Sequence, residues 1–457
     1  MKRFRTILFW LHLSAGVFAG IVVLIMSVTG VALMYEKQML AWADLRNYRT
    51  EAPAPGTPRL PIGELLAKVE AERGQVPATL VVRPGPADPI AFAYGREATV
   101  YVNPYSGEIL GEGSAGMRSF FQFMTDWHRY LGAGGGENRE VGKAITGACN
   151  LAFLFIVVSG PYLWWPRNWK WSTVKSVILF RAGLSGKARD FNWHNVIGFW
   201  SAIPLFFVVI SATVISYPWA SDLAYRIGGD EPPARPAAGA RPPTAAGPRA
   251  KAVGAVRKDA GGERGAPEGR TAESNGQQAS AAEAVPGASS GAEALASQPQ
   301  PAGPNLDGVD ALLARATQQV PDWRTITLRL PLPEDEPVGF AIDQGSGGQP
   351  QLRSTLTLDR RTAAVVNWET FAAGTPGRRL RTWMRFIHTG EALGLPGQTI
   401  AGVVSGGAVF LVYTGLALSL RRFLAWVARA SAASAGSSKT SRPRQRVVAD
   451  QVSVGED

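Results

Sequence analysis

The chain has 457 residues, a single cysteine and a formal net charge of +11, with a mean hydropathy of zero. One cysteine excludes an internal disulfide, a thiolate metal cluster and the C-x-x-C-H motif of covalently attached cofactors. The zero average hides two populations, because polar stretches dilute apolar runs long enough (about 18 residues or more) to cross a bilayer.

The first such run covers residues 7–35. It follows MKRFR as a secretory signal would, but its apolar core is far longer than the ~7–15 residues of a signal peptide and no small-x-small site ends it. Residues 1–35 therefore read as an uncleaved first membrane helix. Residues 36–140 form a first outer domain, 141–165 a second membrane helix and 166–191 a loop carrying Arg167, Lys170, Lys175, Arg181, Lys187 and Arg189. A third membrane helix spans 192–217, a second outer domain 218–396 and a fourth membrane helix 397–420. Residues 421–457 are expected to be a disordered tail beginning with Arg421 and Arg422. Basic residues collect before the first helix, in the middle loop and after the fourth. The positive-inside rule then places both termini and that loop in the cytoplasm and both long domains outside. Topology accounts for the positive charge, so nucleic acid is not needed as a partner; anionic lipid or an acidic electron donor remains open to the basic face.

Within the second outer domain, residues 230–305 are dominated by Ala, Pro, Gly and Ser. That composition cannot bury a core and predicts a disordered insert. Without it the two outer domains match. ELLAKVEAERGQVP parallels ALLARATQQVP at helical spacing, and each is followed by alternating strand-like segments: ATLVVR, AFAY and TVYVNPYSGEIL in one, TITLRL, VGFAI and TLTLDRRTAAVV in the other. The membrane helices repeat too. A shift of 182 places His12 on His194, Gly16 on Gly198 and Tyr35 on Tyr217, and a shift of 255 places Ser159 on Thr414, Gly160 on Gly415 and Arg167 on Arg422. The expected fold is a mainly α membrane protein, a four-helix bundle of two parallel repeats, each carrying one small α+β outer domain. Copies that both start and end inside are related by an axis along the membrane normal.

The four histidines obey the same relation. His12 and His194 open the first and third helices; His128, in FFQFMTDWHRYLG, and His388, in RTWMRFIHTGEALG, precede the second and fourth. A single histidine near a helix end is commonly an interfacial or hydrogen-bonded residue. Four at equivalent places imply more, because a two-fold axis brings His12 toward His194 and His128 toward His388. Two imidazoles converging from opposite sides suit the axial positions of a haem iron within a bundle. The alternative pairing of His12 with His128 would span ~35 Å at 1.5 Å per residue. Gly16 and Gly20 lie on the face of His12, and Gly198 stands in the same relation to His194, leaving room for a porphyrin or for a close helix contact. Zinc fits poorly, since its sites want three or four converging ligands and these histidines divide two and two. The cluster Trp164, Trp165, Trp169 and Trp171 reads as an interfacial belt. Arg5 and Arg189 on one side, and Arg129 and Arg385 on the other, neighbour ligand candidates in sequence.

The segments LHLSAGVFAGIVVLIMSVTGVAL, WHRYLG, SGPYLWWPR, FNWHNVIGFWSAIPLFFVVISAT and IHTGEALG resemble the PepSY-associated transmembrane helix family, whose members include periplasmic ferric-siderophore reductases of Gram-negative bacteria. The resemblance covers nearly all of the chain except the insert and the tail. It implies PepSY-like periplasmic domains and a multi-pass inner-membrane protein with two b-type haems, carrying His12, His128, His194 and His388 over as ligands. It also implies an oxidoreductase that takes electrons from a cytoplasmic or quinol donor and passes them to a periplasmic acceptor such as a ferric siderophore. Two other functions fit the pattern: a PepSY-type regulator that binds a peptide or protease, and a haem subunit feeding a separate periplasmic reductase.

Overall fold

A computed structural model describes residues 2–48, 50, 54, 56–95, 98–165, 170–234, 308–332 and 336–437. The predicted insert therefore lies, from residue 235 on, outside the described residues. In chain order the elements are α1 (Lys2–Leu33), α2 (Glu36–Tyr48), α3 (Ile62–Arg73), β1 (Thr79–Val82), β2 (Ile90–Tyr94), β3 (Ala98–Val102), β4 (Ile109–Glu112), α4 (Ala115–Tyr130) and α5 (Glu137–Trp164). There follow α6 (Trp171–Ile178), α7 (Gly186–Ser216), α8 (Pro218–Ile227), α9 (Val309–Gln319), β5 (Thr325–Arg329), β6 (Val338–Asp343), β7 (Arg353–Leu358), β8 (Val365–Thr370), α10 (Pro376–His388) and α11 (Gly394–Ser437).

Among the described residues four helices are long and apolar enough to cross a membrane, at α1, α5, α7 and α11. Side chains such as Phe18, Ile203 and Val403 stand mostly exposed along them, which is costly in water and favourable against lipid. The fourth helix does not stop at residue 420. It continues to Ser437, through a stretch expected from sequence to be a disordered tail, because Ala and Arg dominate that stretch and both favour helix. The remainder of the tail, residues 438–457, lies outside the described residues.

The chain divides into two compact units. Unit one comprises residues 1–28, 148–206 and 404–457; unit two comprises 29–147 and 207–403. In unit one, Asp190 at the start of α7 is fully buried and takes salt bridges from Arg189 (3.0 Å) and from Arg421 of α11 (2.9 Å). Arg5 donates to the carbonyl of Leu163, one of the unpaired acceptors at the end of α5.

Unit two holds the sheet, and here the structure departs from two separate outer domains. All eight strands form one antiparallel sheet in the order β4-β3-β2-β1-β5-β6-β7-β8. The join is β1 against β5, with Leu80 opposite Leu328, Val81 opposite Thr327 and Val82 opposite Ile326. Both strands bury alternate residues, Leu80 and Val82 in one and Ile326 and Leu328 in the other. The register is thus reciprocal: the first buried residue of each strand faces the second of its neighbour. One core serves both halves. Ile62, Leu65, Leu66 and Val69 of α3 and Val309, Leu312 and Ala316 of α9 recur at helical spacing and pack on the same sheet face, around Phe92 and Phe340. The Ile62 N–H, unpaired at the start of α3, donates to Asp310 of α9 (3.0 Å), so one half caps a helix of the other. Sequence periodicity indicated each strand; the pairing of β1 with β5 has no local signature, because any edge strand presents the same free backbone groups.

Candidate histidine sites

Each unit contains one pair of the predicted histidines. In unit one, the His12 ring on α1 meets Ser159 of α5, Nδ1 to Oγ 2.8 Å, and the His194 ring on α7 meets Thr414 of α11, Nδ1 to Oγ1 3.0 Å. The hydroxyls bear on which tautomer is present. Thr414 donates its only proton to the Phe410 carbonyl (2.7 Å), and Ser159 donates to the Ile156 carbonyl (3.3 Å). With its proton so placed, the Thr414 oxygen accepts from the His194 Nδ1–H, which leaves the Nε2 lone pair of that ring available, whereas the longer Ser159 contact does not fix the tautomer of His12. His12 and His194 lie within electrostatic range of each other.

In unit two, His388 at the end of α10 donates Nδ1–H to the Val208 carbonyl (3.0 Å), a contact that fixes the same tautomer without ambiguity. His128 on α4 pairs Nδ1 with the Thr29 hydroxyl at 3.0 Å. The two rings face each other with centroids 6.1 Å apart and planes inclined by 49°. Two axial imidazoles on one metal, each with a ~2 Å bond and ~1.1 Å from nitrogen to ring centre, would have centroids ~6 Å apart. The spacing in unit two fits that requirement.

All four rings therefore use Nδ1 for a protein partner, and for His194 and His388 that partner places the ring proton on Nδ1 and keeps it off Nε2. This is the usual arrangement of metal-ligating histidine, in which the second nitrogen is oriented by a hydrogen bond. Among the described residues no group of three or more His, Cys, Asp and Glu could hold a metal ion, so a site of the zinc type finds no ligand set there. Two neutral imidazoles without a carboxylate suit an equatorially ligated metal such as haem iron.

The predicted glycines differ in how much room they leave. A Cβ on Gly16 would meet nothing within 4 Å, on Gly198 only Leu411 at 3.6 Å, and on Gly20 the Leu416 side chain at 3.3 Å, so that close packing against the fourth helix constrains Gly20 alone of the three. A Cβ added at Gly160 would lie 3.8 Å from the His12 ring, at Gly415 3.5 Å from His194 and at Gly30 3.4 Å from His128. Gly160 and Gly415, like Ser159 and Thr414, are equivalent under the 255-residue shift. The signal that could have found these partners was the repeat itself, read for small and hydroxyl residues rather than for histidine alone.

The arginines that neighbour the two histidine pairs also differ. Arg5 and Arg189 are committed, to the Leu163 carbonyl and to Asp190. Arg129 and Arg385 lie against the rings of Tyr130 and Phe386 and have no carboxylate partner among the described residues.

A comparison with curated proteins returned no match. A family profile described as the PepSY-associated TM region matches residues 9–422, from just before His12 to just beyond Thr414, and so takes in all four histidines and their partners. The chain belongs to the family of PepSY-associated transmembrane regions.

Proposed function

We propose that the chain is a dihaem electron carrier of the bacterial inner membrane, with one b-type haem held by His12 and His194 and the other by His128 and His388. The observation that carries the proposal is the common use of the imidazoles: Nδ1 is tied to Ser159, Thr414, Thr29 or the Val208 carbonyl, which leaves Nε2 as the nitrogen for a metal. When bound, haem supplies a one-electron Fe(III)/Fe(II) couple. The residues of the chain do the rest. The Thr414 hydroxyl and the Val208 carbonyl hold their rings in one tautomer and raise their basicity. Gly160, Gly415 and Gly30 let a neighbouring helix pass against the rings, and the apolar helices keep water and protons away from them.

The matching helices, the matching histidine partners and the reciprocal register of β1 and β5 support a duplicated architecture: two parallel repeats with PepSY-like halves joined in one periplasmic sheet and both termini cytoplasmic. In that orientation His12 and His194 would hold the haem on the side of a cytoplasmic or quinol donor, and His128 and His388 would hold the haem on the side of the periplasmic acceptor, a ferric siderophore. One electron releases the metal, because hard oxygen chelators hold Fe(II) much less firmly than Fe(III).

The decisive experiment is the visible spectrum and pyridine haemochrome content of the purified chain. Two haems per chain, with sharp α and β bands on dithionite reduction and reoxidation by ferric chelates, are expected. A colourless protein that captures a peptide or protease would refute electron transfer and favour a regulatory role. Haem reoxidised only by a co-purified partner would reassign the acceptor.

A further inference from the structure

The two repeats differ where α1 and α7 end. In unit two, the end of α1 meets the start of α11 through a set of hydrogen bonds. The Gln398 amide donates to the Met34 carbonyl (2.7 Å), the Gln38 amide donates to the Gln398 amide oxygen (2.7 Å), and the Tyr35 and Thr399 hydroxyls meet at 2.7 Å. Gln398 is buried, and the polar side chains of this junction are spent on one another.

The shifts of 182 and 255 residues carry this junction onto the end of α7 and the start of α5, where every partner but one has changed. Gln38 corresponds to Ala220, Gln398 to Lys143 and Thr399 to Ala144, while Tyr35 corresponds to Tyr217. Residue 144 offers no hydroxyl, and Tyr217 lies instead over Gly147, where an added Cβ would be 2.7 Å from the tyrosine oxygen. The result is a cleft of about 210 Å³ lined by Glu140, Lys143, Ala144 and Gly147 of α5 and by Ser216 and Tyr217 where α7 gives way to α8. It lies below the ~300–1,000 Å³ of pockets for drug-sized ligands, which suits a small polar group.

The cleft presents both signs of charge. Lys143 Nζ and Glu140 Oε2 stand 3.9 Å apart, too far for a hydrogen bond, so each keeps its hydrogen-bonding capacity for a third group. The Tyr217 ring, inclined by 37° to Trp219 with centroids 5.9 Å apart, adds an aromatic wall that attracts cations. Val141, Ile145 and Trp219, close in sequence to the lining residues, stand exposed, as side chains against lipid do.

We infer that this cleft binds the headgroup of a zwitterionic aminophospholipid. The Lys143 ammonium takes the phosphate, the Glu140 carboxylate and the Tyr217 face take the primary ammonium, and the acyl chains run along the exposed apolar side chains. An anionic headgroup would set like charge against Glu140, and a choline headgroup offers that carboxylate no N–H. The inference is independent of haem, so a chain that carries none would leave it standing.

The test uses the full chain in nanodiscs of phosphatidylethanolamine, phosphatidylglycerol and phosphatidylcholine in equal parts, with native mass spectrometry counting the lipid retained on release. One phosphatidylethanolamine per chain is expected in preference to the other two. Glu140→Gln and Lys143→Gln should each lower its retention about tenfold, the scale of one charge-assisted hydrogen bond, while Glu137→Gln, on the same helix but outside the cleft, should not. Ala144→Thr keeps both charges and offers Tyr217 the hydroxyl that Thr399 offers Tyr35. It should close the cleft and release the lipid, which attraction to an open charged surface would not do. The thermal midpoint in phosphatidylcholine alone reports the folding of each variant separately. Equal retention of the three lipids, preference for phosphatidylglycerol, or full retention in folded Ala144→Thr protein would overturn the inference.

Discussion

Replacing Thr414 by Val deletes one hydroxyl and keeps the shape of a fully buried side chain, so packing is preserved. What is lost is the acceptor for the Nδ1–H of His194 (3.0 Å). In the metal-free chain the ring can answer by moving its proton to Nε2. With Nε2 ligated it cannot, and a buried N–H is left unpaired at a cost of ~1–3 kcal/mol. That cost falls on the bound state alone and appears as weaker haem binding, about 10- to 100-fold, the range usual for partners of metal-ligating histidine. The same loss makes the imidazole less basic, so the potential of that haem rises. Transfer of haem to excess apomyoglobin, followed in the Soret region beside a potentiometric titration, measures both. Thr414→Ser should restore wild-type behaviour. A folded Thr414→Val protein that keeps both haems with unaltered transfer rate and potential would refute the tautomer argument, and with it the orientation of His194 as a ligand.

Other perturbations separate the two pairs and test the packing beneath them. Replacing His12 or His194 by Ala should remove the same spectral component, and His128 or His388 the other; haem content then falls from two per chain to about one, and loss of one shared component from both His12→Ala and His128→Ala would sink the pairing. At Gly415 an added Cβ sits 3.5 Å from the His194 ring, so Ala should be tolerated, whereas the branched methyls of Val should displace the ring and lower haem content. At Gly142 a Cβ would lie 2.2 Å from the Tyr130 carbonyl oxygen, so Gly142→Ala is expected to lower the thermal midpoint sharply, with a cost at or above the ~1–3 kcal/mol of ordinary overpacking. In the sheet, the Tyr101 hydroxyl donates to Asp44 (2.9 Å), and its pKa is pushed up to about 12, by burial first and then by the Asp44 charge. The neutral phenol is thereby favoured in the fold; its contribution is complete below pH 10 and is lost as the pH rises toward 12. Tyr101→Phe should flatten that alkaline fall in a plot of thermal midpoint against pH, and an unchanged slope would show that another group governs it.

Much of this was legible in the sequence because it is periodic. Membrane helices announce themselves by uninterrupted apolar length, and the strands by alternation. The ligand candidates emerged because only four histidines exist and all four fall at equivalent places. What escaped is non-local. Ser159 and Thr414 look like any small polar residue in a membrane helix until the ring across from them is known. The joining of the two sets of strands into one sheet depends on which edge strands meet, a choice that hydropathy does not record. The continuation of α11 to Ser437 was hidden for the opposite reason: arginine ended the apolar run, although it did not end the helix propensity.

The reciprocal register of β1 and β5 has a consequence for biogenesis. β1 alternates buried and half-buried residues as its partner β5 does, so β1 of one chain offers an edge that β1 of another chain can accept. During synthesis that edge is complete long before Thr325–Arg329 leaves the ribosome, and at ~5–20 residues per second the wait is on the order of tens of seconds. Every residue inserted between α8 and α9 lengthens the wait, while adding little to the closure entropy of the finished loop, which grows only logarithmically. For a polysome-bound population of nascent chains on one membrane, misassembly between neighbours therefore competes with maturation in time rather than in final stability. Slower translation of the region between the two halves should raise the yield of sheet-linked oligomers without changing the melting behaviour of the monomer that escapes them.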